Sequence, residues 1–292
     1  MGQPSTEVKP YLKKEKWSKR KITRLGVIYF FLLLLASFTI IPFLWTISIS
    51  LKGDGDPIFS MPPQFIPEHW TLNNFIEVWN TVPIPTYLRN SVLLTIFGVS
   101  LPLITSALAA FPLARMKFKG RQFLFILIIS TMMIPSEVTM IPMYLVINEL
   151  NLMGTFAGVI VPGALSPFGI FLLRQAFLNI PKEIEESAII DGANVWQIFW
   201  RILLPMVKPM LGTLCILFFI SEWNSFLWPL LILQDESMHP LTVGLYKLQG
   251  TFVTNTRLIA AGAMIALIPV IAVFIALQRS FIDAAFSSSI KG

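Results

Sequence analysis

Cysteine, histidine and charge are scarce in this chain of 292 residues, and each shortage removes a class of function. The single cysteine, Cys215, allows no disulfide within the chain and no thiolate metal set. The two histidines, His69 and His239, stand apart with no ligand spacing around either, so the sequence points to no metal centre. No GxxxxGK[ST] loop occurs, and without that phosphate cradle any ATP hydrolysis belongs to another protein. HExxH is also absent and no nucleophile has a histidine partner, which leaves a membrane-embedded enzyme unsupported. Charged residues make up only 13% of the chain, too few for the surface of an ordinary soluble domain.

Apolar residues fill that space: they are 55% of the chain, with a mean hydropathy of +0.71. Runs long enough to cross a bilayer, about 20 residues each, occur at 25–49, 89–114, 122–147, 156–178, 209–232 and 257–281. They predict an all-α polytopic membrane protein of six spans over 25–281, with tails at 1–24 and 282–292. Six crossings place both termini on the same side. The basic residues choose that side: 18 of the 22 Lys and Arg fall in the N-terminal tail, around Arg115 to Arg121, between Arg174 and Lys208, or at Arg279 and Lys291. Such residues are retained in the cytoplasm, so both tails are expected there. The other face keeps Lys52, Arg89, Lys247 and Arg257. The net charge of +6 therefore lies beside spans, where topology and anionic lipid account for it and no nucleic acid is needed. The first apolar run is about 25 residues, too long for a cleaved signal core, and is expected to stay as a span.

The outer connections are uneven. Residues 50–88 hold Pro57, Pro62, Pro63, Pro67, Pro83 and Pro85, which predicts an irregular loop with one short helix near Leu72 to Trp79. Neither an internal repeat nor a second domain is evident.

Between the fourth and fifth runs lies a punctuated stretch, residues 179–206. Pro181 suits only the first turn of a helix, and Glu183, Glu185 and Glu186 follow near the positive end of its dipole. Ile180, Ile184 and Ala188 recur on one face. Gly192 can adopt the backbone of a sharp reversal. Val195, Ile198, Phe199 and Ile202 then repeat at i, i+3, i+4 and i+7, opposite Asn194, Gln197 and Arg201, and Pro205 ends the second arm. A helical hairpin on the cytoplasmic side is expected.

In this hairpin Glu186, Ala188, Gly192, Ile202, Leu204 and Pro205 are in register with the EAA loop of permease subunits of ATP-binding-cassette (ABC) importers. That pattern runs Glu-Ala-Ala, three residues, Gly, nine residues, Ile, one residue, Leu-Pro; Ser187 replaces one Ala, small for small. Ala109–Arg121, Met133–Thr155, Phe168–Ala193 and Glu222–Leu233 also resemble carbohydrate-type permeases, in particular the branch of the smaller maltose-transport permease. The likeness covers roughly Asn90 to the end. The closing Lys291–Gly292 is similar to that branch's tail, although its serine-rich lead-in departs from it. The resemblance implies a prokaryotic inner-membrane subunit that imports a sugar by alternating access. Its implied partners are a second permease, two ATP-binding subunits that hold the ATP and magnesium, and an extracytoplasmic solute-binding protein. No cofactor is expected on this chain. Docking to an ATPase cleft needs an apolar ridge and a few charges, for which the candidates are Ala188, Ala193, Val195 and Ile198, and Glu185, Glu186 and Asp191.

Polar residues inside the apolar runs form the second candidate site. Glu137 lies between Pro135 and Pro142 in the third run, and Glu222 in the fifth is followed by Trp223, Asn224 and Ser225, with Trp228 beyond. A charge facing mid-bilayer costs about 2.5–3.5 kcal/mol on insertion scales, so these groups should face the bundle interior or a water-filled path. Tryptophan beside carboxylate, amide and hydroxyl groups suits a sugar, which stacks its C–H face and shares hydrogen bonds. Two other readings stay open: the cluster ties helices together, or Glu137 and Glu222 relay ions in a secondary transporter or channel. Ser106, Ala110 and Ala114, with Gly262 and Ala266, are spaced for close helix approach. Met132, Met133, Met140 and Met143 are expected to be adaptable packing.

Overall fold

The computed structural model describes residues 19–249 and 255–289, without the side chains of 19–22, 277 and 279–289. The expected tails fall largely outside these residues: 1–18 and Lys291–Gly292 lie beyond them, while the last helix carries its backbone on to Ser289. The chain forms α1 (Lys19–Leu51), α2 (Asn73–Thr81), α3 (Ile84–Arg115), α4 (Arg121–Ser130) and α5 (Ser136–Glu149). There follow α6 (Phe156–Ile160), α7 (Pro167–Leu178), α8 (Lys182–Ile190), α9 (Val195–Gln197) and α10 (Leu204–Met206). The last four are α11 (Lys208–Trp223), α12 (Leu227–Ile232), α13 (Leu241–Tyr246) and α14 (Thr256–Ser289). Among the described residues there is no sheet, and the fold is all-α.

Among the described residues three helices, within α1, α3 and α14, are long and apolar enough to cross a membrane unaided, and three further pairs qualify only as bent pairs. Counted one crossing per pair, they come to at most six. The breaks fall inside the third and fourth apolar runs and just before the fifth. The run at 122–147 turns by 102° between α4 and α5. Pro135 is the cause, since its ring pushes Ile134 out of helical geometry, to φ −90° and ψ 118°. The fourth bends by 42° where Pro162 and Pro167 interrupt it. At Val207 the second arm of the hairpin meets α11 at 72°. Backbone groups freed by such breaks need partners in lipid, and α3 provides them. The Thr105 hydroxyl donates to the Ala164 carbonyl at 2.6 Å and that of Ser106 to Ser166 at 3.3 Å.

Helix α3 is the hub, packed against α7 on one side and α11 on another, while α14 joins α1, α2 and α11. Its small residues make these approaches possible: Ser106 and Ala110 are fully buried and Ala114 nearly so. By contrast α1 leaves Phe30, Leu33, Leu34, Phe38 and Ile41 exposed, a surface suited to lipid.

The loop between α1 and α2 is ordered by polar contacts that sequence spacing does not reveal. Lys52 is fully buried, donating to the Pro57 carbonyl at 2.7 Å with the Trp45 ring 5.0 Å away. Arg257, at the start of α14, donates to the carbonyls of Asp54 and Asp56. His69 does not stand alone, as expected, because folding brings its ring to 2.8 Å from Asp56, with Glu68 close by. Both Asp56 oxygens also accept the His69 backbone N–H. Burial pushes Asp56 up, but the hydrogen bonds and charge of His69 outweigh it and hold the carboxyl below its ordinary range. The hydrogen bond to Asp56, and then its charge, raise His69 in turn.

The signs define a pH window. Asp56 contributes stability above its unfolded value and loses it as pH falls through the lowered folded value. His69 contributes below its unfolded value, and that is lost as pH rises through the raised one. The 53–70 segment should therefore be best protected at mildly acidic pH. Hydrogen exchange, corrected for intrinsic rates, should show protection falling as pH rises above about 6.5, and a flat profile over the same rise for His69→Gln. The same profile in both proteins would refute the pairing.

Candidate coupling hairpin and polar cavity

The hairpin is a helix, a left-handed residue and a second, shorter helix. Helix α8 starts after Pro181 and is capped at Asp191, with Gly192 at φ +83°. The Gly192 N–H bonds the Ile189 carbonyl at 3.0 Å and the Ala193 N–H reaches back to Ala188 at 2.9 Å, the paired closure of a Schellman turn. Asn194 and Gln197 then form a reciprocal capping box over α9, which the Asn-x-x-Gln spacing could have revealed. Residues Ile198–Leu203 wind as a wider π-type turn, so the second arm is a helix but not a regular one.

The inner face of the hairpin is built into the core. Phe199 is fully buried, 5.0 Å from the Phe111 ring and 6.3 Å from that of Phe177. Burying such a side chain is worth about 1.5–3 kcal/mol. Ala188 and Ile198 sit in the same cluster and Ala193 packs against it. Of the expected ridge, Ala188 and Ile198 are buried against residues of α3 and α7. The exposed apolar side chains are instead Ile189, Ile190, Val195, Trp196 and Trp200. Only Val195 belongs to the expected set.

Of the expected charges, Glu186 and Asp191 are exposed and Glu185 is not free. Its Oε1 lies 2.8 Å from the Arg115 Nε, off the line of an aligned hydrogen bond, so the two meet as an ion pair. Arg115 also donates to the carbonyls of Phe177 and Ile180, both at 2.6 Å. One guanidinium thus ties the end of α3, the end of α7 and α8 together. Burial pushes the Glu185 carboxyl up, opposed by the charge of Arg115 and then of Lys182.

The second site is a cavity of about 440 Å³. It opens where the spans are broken: beside the first turns of α5, at Pro162 and Gly163 after α6, at the end of α11 and along α12. Glu137, Glu222 and Ser225 line it together, as do Met140, Met143 and Trp228. Two expected members do not. Trp223 turns into the core, stacked on Phe219 and donating its indole N–H to the Ala266 carbonyl at 3.2 Å. Asn224 donates to Ile220 of its own helix and stays exposed. Both residues sit at a helix break, since α11 ends at Trp223 and the helix resumes only at Leu227.

Glu222 packs so close to α3 that a Cβ at Gly98 would lie 2.7 Å from its carboxyl carbon. A Cβ at Gly163 would be 3.8 Å from Glu222 Oε1. Trp228 lines the same cavity, and its indole nitrogen is buried without an acceptor among the described residues.

Residues 103–285 match the family described as the inner membrane component of binding-protein-dependent transport systems. The chain is similar to the arabinooligosaccharides transport system permease protein AraQ of Halalkalibacterium halodurans, 36% identical over 229 residues, covering 78% of this chain and 82% of that one. It is also similar to the melibiose/raffinose/stachyose import permease protein MelC of Bacillus subtilis, 35% identical over 255 residues, 86% of this chain and 91% of that one. A chain of a bacterial ABC transporter involved in import of the acidic polysaccharide alginate has the same fold, with a TM-score of 0.80 and 27% identity, covering 91% of this chain and 99% of that chain. With its bent spans and projecting hairpin, the chain belongs to the family of binding-protein-dependent transport system inner membrane components, as a membrane-spanning permease of the ABC class.

Proposed function

We propose that this subunit imports a sugar or oligosaccharide across the cytoplasmic membrane by alternating access, driven by ATP that partner subunits hydrolyse. The observation that carries the reading is the hairpin itself, apolar at its tip and welded to the core at its base. Ile189, Ile190, Val195 and Trp196 expose more apolar surface than a short solvated loop has use for, next to the charges of Glu186 and Asp191. They suit a cleft on an ATP-binding subunit. Phe199, Arg115 and Glu185 make the hairpin move as one body with α3, α7 and α11, so closure of two ATPases is delivered to the spans without being absorbed on the way. ATP and magnesium stay on those subunits.

A second permease completes the path, and an extracytoplasmic binding protein delivers the solute. The relatives named for arabinooligosaccharides and for melibiose, raffinose and stachyose support a saccharide. The basic-residue asymmetry supports a cytoplasmic hairpin and cytoplasmic termini.

The test is the energy source together with the orientation. In proteoliposomes of the whole complex, uptake should require ATP and the binding protein and should survive collapse of ion gradients. Uptake driven by an ion gradient without ATPase would establish the secondary-transport reading instead. With Cys215 replaced, a cysteine at Ile190 should label from the cytoplasmic face and be shielded by the ATPase, while one at Ser237 labels from outside. Ile190 labelling that the ATPase leaves unchanged would remove the hairpin from the docking surface.

A further inference from the structure

We propose, building on the saccharide reading above, that the α5–α6–α11–α12 cavity is a sugar subsite that accepts saccharides without acid groups and rejects acidic ones. Among the described residues of this chain its ionisable lining residues are two carboxylates, Glu137 and Glu222, with no lysine, arginine or histidine beside them. Charged or protonated, a carboxyl offers an acidic sugar no cation. An anion entering would lose hydration without a counter-charge, and beside an ionised carboxylate it would meet repulsion as well.

The placement of Glu222 marks it as built rather than incidental. Its carboxyl lies directly against Gly98 of α3, where a Cβ would stand 2.7 Å from both Cδ and Oε2 and would displace it. No hydrogen bond or ion pair to the described residues satisfies that carboxyl, although it ends an apolar helix, where an unpartnered charged group is costly. Trp228 lines the same cavity. An unpartnered carboxyl there is a group with which a sugar hydroxyl can share a hydrogen bond. The ring of Trp228 gives the C–H face of a pyranose or furanose a surface to lie on. Met140 and Met143 line the same side as flexible apolar wall.

This sets the cavity apart from what its structural neighbour handles, since that transporter is involved in import of an acidic polysaccharide. Likeness of fold therefore does not carry over likeness of cargo. Sign of charge is the discriminating property, and Glu222 and Glu137 are the residues that set it.

The experiment uses the purified permease–ATPase complex, without binding protein, so that delivery does not mask the subsite. Binding of neutral maltotriose, raffinose and arabinotriose is compared with that of trigalacturonate by calorimetry. The best neutral probe should bind at least about ten-fold more tightly than the acidic one. Glu137→Arg, which places a cation at the exposed start of α5, should narrow or reverse that ratio. Glu222→Gln and Trp228→Phe should each weaken the neutral probe by about ten-fold while assembly stays normal. Equal binding of neutral and acidic probes overturns the charge filter. Neutral binding that neither Glu222→Gln nor Trp228→Phe alters overturns the cavity as its site but leaves sugar import standing. Failure of every saccharide to bind, in a complex that still imports another class of solute, refutes the saccharide reading itself.

Discussion

Arg115→Leu is expected to reduce import to background and to lower the thermal stability of the complex. Arg115 is 5% exposed and carries three contacts at once: the Glu185 carboxylate and the carbonyls of Phe177 and Ile180. Removing one partner of a buried pair leaves the other charge unpaired, at a cost of about 3–5 kcal/mol. That is a large share of a typical folding free energy of about 5–15 kcal/mol. Glu185, whose side chain is 19% exposed, would then protonate or swing outward, and α8 would lose its anchor to α3. Lysine should rescue only in part, because a single ammonium cannot reproduce a guanidinium that reaches three acceptors. Arg115→Leu with Glu185→Leu should recover more than the single variant, since paired apolar replacements remove the stranded charge. Uptake in membrane vesicles and unfolding of the detergent-purified complex measure both effects. Normal uptake and unchanged melting in Arg115→Leu would show that the hub carries no coupling, and a double variant no better than the single would show that the ion pair is not what matters.

The hub also shows where sequence reading stops. The all-α membrane class and the helix–turn–helix of the hairpin were legible because they rest on local quantities: apolar run length and the placement of Pro181, Gly192 and Pro205. Which face of the hairpin turns inward was not. Ala188 and Ile198 satisfy a helical repeat equally well as a docking ridge or as a core face, and only the positions of Phe111 and Phe177 decide between them. Arg115 looked like one more cytoplasmic basic residue, since the carbonyls it binds lie 62 and 65 residues away. In the polar cluster, Glu137 and Glu222 stand apart in sequence, and the 102° turn at Pro135 helps to bring them to one cavity. Trp223 and Asn224 seemed to belong because they neighbour Glu222. Successive residues on a helix point about 100° apart, so adjacency in sequence argues against a shared face. A reading that weighted Ser225 and Trp228 over the two residues next to Glu222 would have been closer.

Gly192→Val is expected to leave the chain inserted and assembled but to cut import by about ten-fold or more, the effect of a change near 1.4 kcal/mol at the turn. Space is not the reason, because nothing lies within 4 Å of where a Cβ would stand. The dihedral is the reason. At φ +83° a β-branched side chain is a strong outlier, and such strain costs of order 1–3 kcal/mol. Relieving it means opening the bonds from Gly192 to Ile189 and from Ala193 to Ala188, which unwinds the last turn of α8. Ile189 and Ile190 lie in that turn, and with them goes the proposed docking tip. Asparagine tolerates the left-handed region better than most residues, so the order of activity should run Gly192, Asn, Ala, Val. A steric explanation would instead rank the variants by size and place Ala above Asn. ATP hydrolysis by the complex should continue in Gly192→Val while losing its response to substrate-loaded binding protein. Full uptake with normal substrate-stimulated hydrolysis in that variant would mean that motion reaches the spans by a route other than this turn.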